Sequence, residues 1–253
     1  MKPSVLVLTE DGGPDGKNAF ATIEALTKKL LKYLDHSCDP DKIDFPPLTD
    51  EDVRKVLVAN AYTSRRDSRR RKLHQMIATQ LRLDDGFVVH HFDGDCPWGD
   101  RDDEAPLDAK PVQTAIIQHV RIIFEQEGLS STEIDAMLRR YLRLVPYREI
   151  EAWLYQNTEK ARTFACGRAQ CGCMMKLDQW RADRGLLDEV PKPPAALPCV
   201  GKRHNLDLVA GIPVKDVYAA GKSLATALDA MLGCEALLET LQNKDQRTYP
   251  SPP

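Results

Sequence analysis

The sequence predicts an α/β fold with a largely parallel sheet. Three observations carry this: short apolar runs rich in β-branched residues, long stretches of helical apolar spacing between them, and acidic residues where the apolar runs end. At 253 residues the chain can hold one large domain or a domain with an appendage. A core over residues 1–160 and a smaller helical, cysteine-containing part over 161–242 are expected.

The first run, Ser4 to Leu8 (SVLVL), is apolar throughout, as a strand covered on both faces requires. A Gly/Pro/Asp loop follows, then a helix from about Lys17 to Leu34 whose Phe20, Ile23, Leu26, Leu30, Leu31 and Leu34 share one side. The loop GGPDGKN does not match a phosphate-binding loop. Three residues rather than four separate Gly12 from Gly16, and Asn18 stands where Ser or Thr is needed.

Helices are expected over Asp50 to Ala61 and Ser68 to Leu83. The second is preceded and opened by RRDSRRRK, in which Arg65, Arg66, Arg69, Arg70, Arg71 and Lys72 crowd positive charge at a helix start. That charge opposes the helix dipole, so either an external anion such as nucleic-acid phosphate balances it or it is a solvated face.

The second strand, Phe87 to Phe92 (FVVHHF), ends directly at Asp93-Gly94-Asp95. Adjacent His90 and His91 point to opposite faces of the sheet, where a core histidine is the commoner outcome. An acidic loop from Cys96 to Lys110, a helix from Pro111 to about Glu127, and a helix from Ser131 to Arg139 opened by Ser131 and Thr132 come next. Arg143 to Gln156 then supplies a short strand, a break at Pro146, and a helix bearing Glu149, Glu151 and Trp153. Trp153 and Tyr155 read as packing residues.

In the final third, VPKPPAALP is a proline-rich connector and Lys215 to Leu241 a closing helix capable of supporting a homodimer. Residues 243–253 form a polar tail expected to be disordered.

A net charge of −3 excludes a chain that is basic throughout. No segment has the length and apolarity of a membrane span or of a signal peptide, so a cytoplasmic protein without membrane partners is expected. Seven cysteines, unevenly spread, suit reduced thiols or a metal better than a disulfide framework. Cys166, Cys171, Cys173, Cys199 and His204 together offer enough ligands for a structural Zn²⁺, although their spacing is not that of paired zinc knuckles.

Asp93 and Asp95 form a pair that many turns contain, often to cap the next helix. Their setting adds weight. In an open α/β sheet ligands gather beyond the carboxyl ends of the strands, and Glu10 and Glu151 follow two other strand ends. Hard cations such as Mg²⁺ take carboxylate oxygens together with substrate phosphate and water. Asp93, Asp95 and Glu151 are therefore candidate ligands to Mg²⁺ or Mn²⁺, with Glu10 a further ligand or the base for an attacking water.

The order TED after the first strand, FDGD after a later one and VPYREIEAW after a third resembles the TOPRIM-like proteins of bacterial and phage-defence loci, relatives of the overcoming-lysogenization-defect nucleases. DEVPKPP, Asp188 to Pro194, is also similar to a lysine-proline segment of those proteins. The resemblance matches Glu10 to the family's glutamate, Asp93 and Asp95 to its metal-binding pair, and Glu151 with Trp153 to its later E-x-W element. It departs at Asp11, which stands where the family usually places glycine. The resemblance implies a TOPRIM-like fold and a Mg²⁺- or Mn²⁺-dependent nuclease, a hydrolase of antiviral defence acting with an ATPase or sensor partner. The departure after Glu10 and the acidic loop support a second reading, a non-catalytic regulatory or partner-binding subunit.

Overall fold

A computed structural model describes residues 3–10, 16–36, 38–48, 62, 67–94, 109–165, 172–220 and 222–241. The expected helix over Asp50 to Ala61, most of the acidic loop and the tail lie outside these residues. Among the described residues one parallel sheet has the order β1-β2-β3, with β1 at Ser4–Thr9, β2 at Gly86–His91 and β3 at Tyr141–Leu144. Val5 lies opposite Phe87 and Leu8 opposite His90, while Val88 pairs with Tyr141 and His91 with Leu144.

Every residue of β1 and β2 is buried, which explains the unbroken apolar runs. Alternation assigns the faces. Val5, Val7, Phe87, Val89, Leu142 and Leu144 belong to one core with α1 (Gly16–Leu34). Leu6, Leu8, Val88 and Tyr141 belong to the other, with α2 (Asp67–Leu81) and α3 (Ala109–Gln126). Next along the chain, α4 (Ser131–Leu138) is opened by a capping box one residue earlier than the sequence suggests. The Ser130 side chain accepts from the Glu133 N–H, and the Glu133 side chain accepts from the Ser130 N–H.

The first core also takes in the final third: Leu177, Leu208, Val217, Leu224 and Leu228 pack in the same cluster as Leu142 and Leu144. Two further helices, α5 (Glu151–Leu154) and α6 (Thr158–Phe164), lead from the sheet into this part. A buried network ties them down. Trp153 Nε1 donates to Ser223 Oγ at 2.7 Å, while the Ser223 hydroxyl and backbone N–H both donate to Asp188 at 2.6–2.7 Å.

This network corrects the expected closing helix. Instead of one helix from Lys215 to Leu241 the chain forms three, Val214–Ala219, Ser223–Leu232 and Glu235–Leu241. Asp188 captures the first N–H of the middle helix, and Gly233 terminates it. The long continuous surface on which a dimer was expected is therefore not formed, and Val217, Leu224, Leu228 and Leu237 are spent on the core. The proline-rich connector is also ordered in part, as a short helix, Pro193–Ala196, with Pro193 in its first turn. No helix among the described residues is long and apolar enough to cross a membrane.

Candidate metal centre at the carboxyl edge of the sheet

Three strand ends deliver three carboxylates to one place. Glu10 follows β1 directly, and its Oε2 accepts the Asp93 N–H at 3.0 Å. Beyond β2, the Phe92 N–H reaches the Leu144 carbonyl at 3.1 Å and the Gly94 N–H reaches that of Arg148 at 2.8 Å, so the turn is held against the segment after β3. A Cβ on Gly94 would stand 2.1 Å from the Pro146 carbonyl oxygen, so no other residue fits there. Asp93 Oδ1 accepts the Ile150 N–H at 3.0 Å, one residue before Glu151.

His91 lies among these acids. Its Nδ1 is 3.2 Å from Thr9 Oγ1 and its Nε2 is 3.3 Å from Asp93 Oδ1, close enough for charge pairing. Burial pushes the imidazole toward neutrality, but Asp93, then Glu10 and Glu151, outweigh it and raise the pKa above the usual histidine value. Burial likewise opposes ionisation of Asp93, yet His91, Lys202 and the Ile150 N–H together hold its carboxyl below the usual range. Glu151 shifts the other way. Burial is the largest influence and keeps its pKa raised despite Lys202 and Asn205, with the Asp93 charge adding to the shift.

Lys202 and Asn205 arrive from the final third. Lys202 Nζ is 3.8 Å from Glu149 Oε2 and 3.9 Å from Glu151 Oε1, and Asn205 Nδ2 donates to Glu151 Oε1 at 2.6 Å. Glu10, Asp93 and Glu151 are thus brought together as the strand ends suggested, while Asp95 lies outside the described residues. The opposed faces of His90 and His91 allowed one histidine to approach the acids from behind without identifying His91 as their counter-charge, and sequence reasoning did not single out Lys202 or Asn205. The one signal for the last two is the run of polar residues KRHN.

Among the described residues no three His, Cys, Asp or Glu side chains are arranged to hold a metal. Each acid of the cluster has an oxygen turned onto a protein partner: Glu10 on Asp93, Asp93 on Ile150, Glu151 on Asn205. The donor set nevertheless fits a hard cation, because it is built from carboxylates and because Glu151 Oε2 is buried with no hydrogen-bond partner.

The other expected sites fare differently. Arg69, Arg70, Arg71 and Lys72 lie together in the opening turns of α2, with the Arg70 guanidinium 5.9 Å from the Tyr62 ring centroid, whereas Arg65 and Arg66 are outside the described residues. Of the expected zinc ligands, Cys173 is buried and Cys199 half-buried, while Cys166 and Cys171 are outside. His204 stacks on Phe164 at 4.0 Å, accepts from Arg203 Nε at 3.0 Å, and has Nδ1 3.9 Å from Asp207. Both of its nitrogens therefore face local partners among the described residues.

No family model matches this chain, and neither the curated proteins nor the solved structures contain a match to it.

Proposed function

We propose that the chain is a TOPRIM-like, metal-dependent nuclease subunit that hydrolyses phosphodiesters in nucleic acid and works with an ATPase or sensor partner in defence. The observation that carries this reading is the meeting of Glu10, Asp93 and Glu151 around His91 at the carboxyl edge of a parallel sheet. Fold likeness alone would not suffice, because function lives in the site.

Asp93 and Glu151 would hold the cation, and the sequence offers Asp95 as a further ligand. A bound Mg²⁺ or Mn²⁺ stabilises charge on the phosphoryl oxygens. Glu10 accepts the proton of the attacking water. Lys202, largely exposed, offers its ammonium to a phosphate oxygen, and the basic start of α2 draws in the polyanion. His91, by hydrogen bond and charge, holds the Asp93 carboxyl ionised against its burial.

The test is cleavage of labelled DNA and RNA, single- and double-stranded, by the purified chain with Mg²⁺ or Mn²⁺, alone and with the products of neighbouring genes. Metal-dependent cleavage lost at least about 100-fold in Asp93→Asn supports the reading. Intact substrates under all conditions, with no metal bound, contradict it. One observation favours a non-catalytic regulatory subunit instead: the carboxylates already have protein partners, and no three of the described side chains are set as ligands. Metal binding without cleavage would select that alternative.

A further inference from the structure

Glu151 Oε2, Asn205 Oδ1 and the Tyr155 hydroxyl are buried oxygens without hydrogen-bond partners. Glu151 is 1 % exposed and Tyr155 fully buried. An orphaned buried polar atom costs about 1–3 kcal/mol, so each calls for a physical reason. They are held by independent elements. Glu151 and Tyr155 are one turn apart on α5 and its C-cap, where the Tyr155 N–H donates to the Glu151 carbonyl at 2.9 Å. Asn205 opens a short helix, Asn205–Val209, fifty-four residues away in sequence.

Charge connects them as well as position. Burial, and then the charges of Glu151 and Glu149, raise the Tyr155 hydroxyl's pKa and keep it protonated. Asn205 uses its amide on Glu151 Oε1 at 2.6 Å, on the side where Lys202 also stands. That leaves Oε2 as the carboxylate oxygen without a hydrogen-bond partner. The amide oxygen of Asn205 and the tyrosine hydroxyl are neutral oxygen donors of the kind that complete the shell of a hard cation directly or through its waters.

We infer that Asn205 is a positioning residue of the metal centre: it fixes Glu151 through Oε1 so that Oε2 faces the cation, and it makes the final third of the chain part of the site. This rests on the metal reading proposed above. Tyr155, which motif reasoning treats as packing, then bounds the same position with its hydroxyl.

The test is Mn²⁺ affinity of the full chain, measured by electron paramagnetic resonance, beside the melting temperature without metal. Asn205→Leu, which keeps the volume and removes the amide, is expected to weaken Mn²⁺ binding about 10- to 100-fold, with part of the loss recovered in Asn205→Gln. Tyr155→Phe, which deletes one hydroxyl and keeps the fold, is expected to weaken binding less and decides the matter where Asn205→Leu does not fold. If the variants bind Mn²⁺ as the wild type does, or lower only the melting temperature, Asn205 is structural and the inference is overturned. If the wild type itself binds no Mn²⁺, the metal reading fails first and takes the inference with it.

Discussion

The two ends of the sheet treat buried polar groups in opposite ways. At the amino end, Arg140 precedes β3 and its guanidinium donates to the carbonyls of Leu81, Leu83, Asp84 and Gly86 at 2.5–3.2 Å, gathering the turn between α2 and β2. At the carboxyl end, Glu151, Tyr155, Asn205 and the Nε of Arg148 each keep a buried polar atom without a partner. The same three strands pass through both ends, so the difference is not one of core packing. One end is finished by folding. The other leaves buried polar atoms unsatisfied by the fold.

Substitution should separate the ends by the sign of its effect. The largest change is expected for Arg140→Met, which strands four carbonyls at once. Chemical denaturation should show a loss of about 3–5 kcal/mol, with no effect on metal affinity in the molecules that remain folded. A loss within 0.5 kcal/mol would mean that the amino end is not held as described.

A second test uses pH on the face away from α1. His74, bonded to Tyr62 at 2.7 Å, is pushed down to about 4 by burial, with His119 and Arg70 adding to it. His90, bonded to Tyr141 at 2.8 Å, is pushed down to about 3 by burial and then by His91. Both are neutral when folded and take up a proton near pH 6.5 when unfolded. Their contribution is therefore whole above about pH 6.5 and is lost as pH falls toward 4 and then 3. Stability should drop by on the order of a few kcal/mol over that window. In His74→Asn the slope between about pH 6.5 and 4 should flatten, and an unchanged slope would contradict the assignment.

The smallest change is expected at the carboxyl end, and it has the opposite sign. Burial keeps the Glu151 pKa raised, so its charge costs stability as pH rises above the ordinary glutamate value near 4.3. Glu151→Gln should stabilise the metal-free chain at pH 7 by about 1 kcal/mol in a thermal melt while removing metal binding. A destabilised variant would make Glu151 part of the scaffold.

Much of this contrast was readable in the sequence, and the unread part has physical reasons. SVLVL and FVVHH announce strands covered on both faces, and that covering follows from parallel pairing. Glu10, Asp93 and Glu151 could be grouped because strand ends in such a sheet share one edge. Asn205 and Lys202 could not, since their approach depends on how the final third packs against Leu142 and Leu144. Local periodicity carries no record of that docking. The closing helix departs from its apolar spacing for a related reason: the spacing runs on through Ser223 and Gly233, while the break before Ser223 is fixed by Asp188, thirty-five residues upstream. His91 was recognisable as one of two opposed histidines, but its role depends on three acids from three elements.

The most direct measurement of the central claim is an anomalous difference map from crystals of the full chain soaked in Mn²⁺. The account predicts a peak bounded by Glu10, Asp93 and Glu151 and within reach of Asn205 and Tyr155, absent from Asp93→Asn crystals that keep the same fold. No peak at the carboxyl edge, or one only among the cysteines of the final third, would contradict it.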